Sequence, residues 1–286
     1  MAQFTRREFI GAATVGAAAL MATPSPILGA ERKKLPIGVQ LYSVRNDFPK
    51  DVPGVLAGIK KIGYEGVEFA GYANYGNNAS GLRKLLDDNG LKACGTHLQG
   101  GLFDVQGNRL ERTVEFNKVI GNDKLIVAST NASTAEDWTR RADEFSAVAE
   151  QLKPHNMRIG YHNHTGEFHA IDGQKPEDIF FGKASPGVFM QLDIGHCAHA
   201  GADPAAYIKK YGDHLLSVHV KDWVRATGGD IVGEGIVKWP EVLTACASAP
   251  ALQWYIIEEE SNKFPGLEGI EKDFKNLTKL LEAQQQ

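Results

Sequence analysis

The feature that most constrains this chain is an alternation repeated eight times. Short β-rich apolar runs at 37–41, 66–69, 91–97, 124–127, 158–163, 188–193, 215–220 and 254–258 are each followed by a helical pattern. The helices are expected at 52–62, 81–89, 109–120, 134–152, 176–181, 204–211, 239–249 and 267–282. In the first of them apolar residues fall at 52, 55, 56, 59 and 62, one face of a 3.6-residue period, and Gly63 stops it. Asn108, Ser133 or Thr134, and Asp203 with Pro204 behind it, read as helix starts. Strands alternating with helices imply a parallel sheet, and eight units in roughly 250 residues fit a closed (β/α)8 barrel. We therefore expect one α/β domain over 35–284. An open doubly wound sheet is the competitor, but no GxGxxG follows the first strand, where a dinucleotide fold would place its phosphate loop.

The first 30 residues do not belong to this pattern. Arg6-Arg7 precedes a weakly apolar, Ala- and Gly-rich run from Gly11 to Met21, broken by Pro24 and Pro26. Two arginines before a modest hydrophobic segment read as a twin-arginine export signal over 1–30, which places the mature protein in the periplasm or outside the cell. After cleavage no membrane association is expected, since no later apolar stretch is long enough to span a bilayer. The net charge of -4 disfavours a nucleic-acid partner, because phosphate backbones are held by clustered Lys and Arg. Cys94, Cys197 and Cys246 form no CxxC pair and read as buried free thiols. A homo-oligomer is allowed but not required.

In such a barrel chemistry sits at the C-terminal strand ends. The third strand ends at His97, the fifth in Tyr161-His162-Asn163-His164 with Glu167 beyond, the sixth at Asp193 with His196 and His199 beyond. The seventh carries His219, then Lys221 and Asp222, and the eighth ends in Glu258-Glu259-Glu260. Six of the nine histidines thus lie at or just past strand ends. Any one of them, or Asp193 as a mere cap or partner of Lys221, has a structural explanation. Together they would converge on one small volume, where burying so many charged groups demands a counter-charge. Mixed imidazole and carboxylate donors suit Mn²⁺, Co²⁺, Zn²⁺ or Mg²⁺.

Several motifs also carry a family resemblance. They are Gly38-Val39-Gln40-Leu41-Tyr42-Ser43-Val44-Arg45, Gly63-Tyr64-Glu65-Gly66-Val67-Glu68, Tyr161-His162-Asn163-His164-Thr165-Gly166-Glu167-Phe168, Leu192-Asp193-Ile194-Gly195-His196, His219-Val220-Lys221-Asp222, Gly233-Glu234-Gly235 and Ile257-Glu258. With these, residues 35–282 resemble the xylose-isomerase-like sugar isomerase/epimerase TIM barrels. The resemblance implies a metal held by a Glu, Asp, His, Glu set on strands five to eight. Asp193, His219 and Glu258 match the last three, whereas the first position holds His162, and Glu167 falls where relatives place a substrate-contacting carboxylate. Either His162 or Glu167 completes the shell; His162 as ligand with Glu167 as acid/base is the favoured assignment.

The expected activity is isomerisation or epimerisation of a keto- or aldo-sugar through an enediolate. Glu258 or Glu167 would move the proton, while His97, His196 and Lys221 would contact hydroxyls or the oxyanion, or else orient Asp193 and His219. Tyr42, Phe69, Tyr72, Phe103 and Trp223 are candidates to stack on a sugar ring. Replacing a glutamate by His162 weakens a symmetric two-base epimerisation. A lyase or hydrolase acting on a keto-sugar, keto-glycoside or keto-inositol is the alternative. A non-catalytic carbohydrate-binding barrel and a DNA-repair endonuclease are further readings, the last disfavoured by charge and export.

Overall fold

The eight expected strands are parallel and closed into a barrel. The computed structural model describes residues 34–224, 228–261 and 263–284, so the export signal expected at 1–30 lies outside the described residues. The barrel strands are β1 (Ile37–Gln40), β2 (Gly66–Phe69), β3 (Lys92–His97), β4 (Lys124–Val127), β5 (Arg158–His162), β6 (Val188–Asp193), β7 (Leu215–Val220) and β10 (Trp254–Ile257). They neighbour one another in the order β1-β10-β7-β6-β5-β4-β3-β2. Between β7 and β10 a small antiparallel hairpin, β8 (Asp222–Val224) and β9 (Gly228–Asp230), projects at the C-terminal end.

Around the barrel run α1 (Val52–Ile62), α2 (Ala79–Asp88), α3 (Asn108–Ile120), α4 (Ala135–Leu152), α5 (Pro176–Lys183), α6 (Ile194–His199), α7 (Pro204–Lys210), α8 (Trp239–Ser248) and α9 (Leu267–Ala283). Their starts follow the sequence chemistry. Asp51 Oδ1 accepts the Gly54 N–H at 2.9 Å, Thr134 and Asp137 form a reciprocal capping box, and Asp203 Oδ1 accepts from Ala205. Asn108 does not cap α3; Gly107, at φ 54°, stands at the cap without a side-chain bond. The helix α6 was not expected. It is a single six-residue segment that starts because Asp193 Oδ1 takes the His196 N–H at 2.7 Å. The three cysteines are buried and unpaired, as expected.

Side chains alternate across each strand. Val39, Val67, Ile159, Val218 and Ile257 face the main core under the helices. The barrel interior holds two separate small apolar clusters, Cys94 with Trp254 and Ile256, and Ile126 with Phe189 and Leu216. The Phe189 ring occupies the space where a side chain at Gly160 would lie, a close-packing requirement rather than a turn. Toward the C-terminal ends the interior turns polar, with Gln40, Glu68, His97, His162, Gln191, Ser217 and His219 all buried.

Candidate active site

The last residues of β5 and β6, the penultimate residue of β7 and the residue after β10 meet. His162, Asp193, His219 and Glu258 are all buried and each offers one donor atom within 4.8 Å of the others. Strand register explains the meeting: Asp193 pairs with His219, and Ile256, two residues before Glu258, pairs with His219 from the other side. His162 and Glu258, with His97, line a cavity of about 730 Å³ at the barrel mouth.

The charges here are paired rather than loose. The Lys221 ammonium lies 3.1 Å from Asp193 Oδ2, 2.8 Å from Glu258 Oε2 and 2.6 Å from Glu260 Oε2. Burial by itself would lower the Lys221 pKa, but Asp193, Glu258 and Glu260 overcome it and raise it above the ordinary value. Burial would likewise raise the pKa of Glu258, yet Lys221 and His219 hold it well below the usual carboxylate range. Burial would lower His219, but Glu258 and Glu68, one on each ring nitrogen, push it up to about 10. His162 goes the other way. Burial, with the charges of His219 and His97 adding to it, holds its pKa well below the ordinary value, so the imidazole is neutral and its lone pair available.

Asp193 supplies the test of fit for a cation. Its Oδ1 is occupied by the α6 start, whereas Oδ2 is fully buried and accepts no hydrogen bond, its Lys221 contact being an ion pair only. That oxygen lies 4.0 Å from both His162 Nε2 and His219 Nδ1. A buried acceptor without a donor is costly. A neutral imidazole, a second imidazole and two carboxylates aimed at one point are the donor set of a borderline divalent ion. The residues fit a metal.

Glu167, expected as the acid/base and alternatively as a ligand, is not among this group. Its Oε1 accepts the Tyr161 hydroxyl at 2.6 Å and its Oε2 the His164 N–H at 3.0 Å, which fixes the loop after β5, and it is not among the residues lining the cavity. His97 lines the cavity, its Nε2 2.8 Å from Gln191 Oε1. His196 sits behind Lys221, with Nε2 3.5 Å from the ammonium and Nδ1 3.0 Å from Thr165 Oγ1. Of the aromatic candidates, Tyr42 and Phe103 line the cavity and are 43% and 55% exposed. Phe69 is buried in the core, the Tyr72 hydroxyl is bound to Thr96 and Asn117, and Trp223 stacks on His199 at 4.1 Å.

Glu68, Gln40 and Gln191 were not among the expected site residues, whereas His164 and Glu260, expected only as members of the strand-end group, line the cavity. Glu68 and Gln191 do carry a signal: each is a polar residue at a buried position within a mostly apolar strand.

Comparison with known proteins agrees with this geometry. A family model described as xylose isomerase-like TIM barrel matches residues 56–280. The chain belongs to that family. A rhizopine catabolism protein, MocC, from Rhizobium meliloti is 22% identical over 72% of this chain and 74% of its own length. An inosose dehydratase from Bacillus thuringiensis (strain Al Hakam) is 27% identical over 45% of this chain and 49% of its own length, so the chain spans about half of that relative. Among solved structures, a sugar phosphate isomerase/epimerase from Parabacteroides distasonis ATCC 8503 superposes with a TM-score of 0.71 at 22% identity, covering 87% of this chain and 98% of that one. The IOLI protein with a bound zinc atom gives a TM-score of 0.71 at 13% identity, covering 87% and 99%.

Proposed function

We propose that this protein is a divalent-metal-dependent sugar isomerase that shifts a carbonyl along a keto- or aldo-sugar by way of an enediolate. The observation that carries the reading is the convergence of His162, Asp193, His219 and Glu258, two of which line an open, largely polar cavity. A divalent cation bound by these four would act as a Lewis acid on the carbonyl.

The chain's own residues do the rest. Glu258 Oε2 is anchored by Lys221, which leaves Oε1 to take the proton from the hydroxyl-bearing carbon beside the carbonyl and deliver it to the former carbonyl carbon, while the hydroxyl proton passes to the former carbonyl oxygen. The cationic partners keep this carboxylate ionised and ready to accept. Tyr42 and Phe103 give the cavity two exposed aromatic faces for the apolar face of a sugar ring. With Glu167 held outside the cavity lining, a second glutamate for a symmetric two-base epimerisation is not in place, which favours a single-base proton shuttle.

Dehydration of a keto-sugar or keto-inositol is the second reading, supported by the relatives named inosose dehydratase and by His164, which lines the same cavity and could protonate a departing hydroxyl. The twin-arginine segment supports export to the periplasm as part of the proposal; fractionation of cells making the full chain, followed by sequencing of the mature N-terminus, tests it.

The deciding experiment is a screen of keto- and aldo-sugars with metal-loaded protein in D₂O, followed by NMR. Isomerisation gives a positional isomer carrying solvent deuterium, whereas elimination gives an unsaturated product and water. Glu258→Gln is expected to lose about 10²–10⁴-fold in rate. Undiminished turnover by that variant would refute the assignment.

A further inference from the structure

A buried carboxylate inside a barrel is expensive, since this level is ordinarily filled by bulky apolar side chains. Glu68 is fully buried there, and Gly95 on the next strand makes room for it, because a Cβ at that position would collide with Glu68 Oε2. What the carboxylate does can be followed bond by bond. An ionised carboxylate only accepts, so every partner must turn a donor toward it. Gln40 gives its Nε2 to Oε1 at 2.8 Å, and Gln191 gives its Nε2 to Oε2 at 2.7 Å and to Ser217 Oγ at 3.0 Å. His219 presents Nε2 to Oε1 at 2.6 Å.

With its NH₂ group committed to Glu68, Gln191 has only its carbonyl oxygen left for the other side. That oxygen faces His162 Nδ1 at 3.1 Å and His97 Nε2 at 2.8 Å. Both nitrogens must then carry protons. The remaining nitrogens point up: His219 Nδ1 lies 3.0 Å from Glu258 Oε2, and His162 Nε2 lies 4.0 Å from Asp193 Oδ2. The same bonds explain why the three nearby imidazoles of His97, His162 and His219 do not make a separate ion site below, since the nitrogens facing that level are already donating to Gln191 and Glu68.

We propose that Glu68 is a positioning residue that sets the tautomer of both ligand histidines, His219 directly and His162 through Gln191, so that a divalent cation meets His219 Nδ1 and His162 Nε2. This rests on the metal-site reading above. Partners of this kind typically change metal affinity by roughly 10–100-fold when removed.

The test uses the full-length protein loaded with Zn²⁺ alone. Long-range ¹H–¹⁵N correlation of the imidazoles is expected to show His219 protonated on Nε2 and metallated on Nδ1, with His162 the reverse. Chelator competition is expected to show Glu68→Gln binding Zn²⁺ about 10- to 100-fold more weakly, with mixed tautomers at both histidines. Zinc held through His219 Nε2 in the wild type, or equal affinity and unchanged tautomers in Glu68→Gln, would overturn the inference while leaving the metal site standing. A wild-type protein that binds no Zn²⁺ at this group would instead remove the metal reading and this inference together. If Glu68→Gln does not fold, the wild-type spectrum alone decides.

Discussion

Two buried carboxyl groups in this molecule show opposite chemistry. Glu68 lies inside the barrel, and Asp273 lies on α9, where its Oδ1 accepts the Val232 N–H of the loop after β9 at 2.8 Å. Burial alone would raise both pKa values. At Glu68 the imidazoles of His97 and His219 reverse that and hold the group well below the usual range. At Asp273 burial is reinforced by Glu259, Asp222 and Glu234, and the pKa is pushed up to about 8. The chain supplies cationic partners to one buried acid and only further acids to the other. A charge is retained where the proposed site needs it, and on α9 a carboxyl is tolerated as a neutral hydrogen-bonding group.

Neutralising the two should therefore have opposite signs. Glu68→Leu removes one half of a buried charge network and is expected to cost about 3–5 kcal/mol in denaturant unfolding. A loss near zero would mean that the imidazoles do not depend on Glu68. Zn²⁺ at a hundred times its dissociation constant is expected to add about 2.7 kcal/mol to the wild type, and far less to Asp193→Asn; an equal gain in both would place the ion elsewhere.

The smallest effect is expected at Asp273, and its sign follows from linkage. The folded state holds a proton up to about pH 8 that the unfolded state releases near its ordinary pKa of about 4. Stability should thus fall as pH rises between those values and level off above them. Asp273→Asn, which keeps an acceptor for Val232, should flatten this slope and be more stable than wild type above pH 8, on the order of 1–2 kcal/mol once relaxation is allowed for. A variant that follows the wild-type curve would show Asp273 to be ionised.

The same contrast explains what could be read in the sequence. All eight strands were legible, because apolar runs punctuated by Gly63, Gly90 and Gly121 leave little choice of register. His162, Asp193, His219 and Glu258 were legible because they end strands or stand within two residues of an end. Glu68 and Gln191 were not, since the meaning of each depends on partners 151 and 123 residues away. Glu167 shows the converse: it follows a strand end closely, but local bonds to the His164 backbone and to the Tyr161 hydroxyl six residues earlier hold it outside the cavity lining. The α6 helix escaped detection because six residues are too few for a period to show, and its start is set by a residue whose other oxygen belongs to the site.

That division of Asp193 has a consequence for how the protein can vary. One oxygen begins a helix and the other faces the converging donors, so the direction of the second is dictated by backbone geometry before any ion arrives. Asparagine could inherit the first duty through its carbonyl while surrendering the charge of the second; alanine would forfeit both. A chain that kept its shape but abandoned its chemistry would have a short route open at this position, through a single exchange of oxygen for nitrogen.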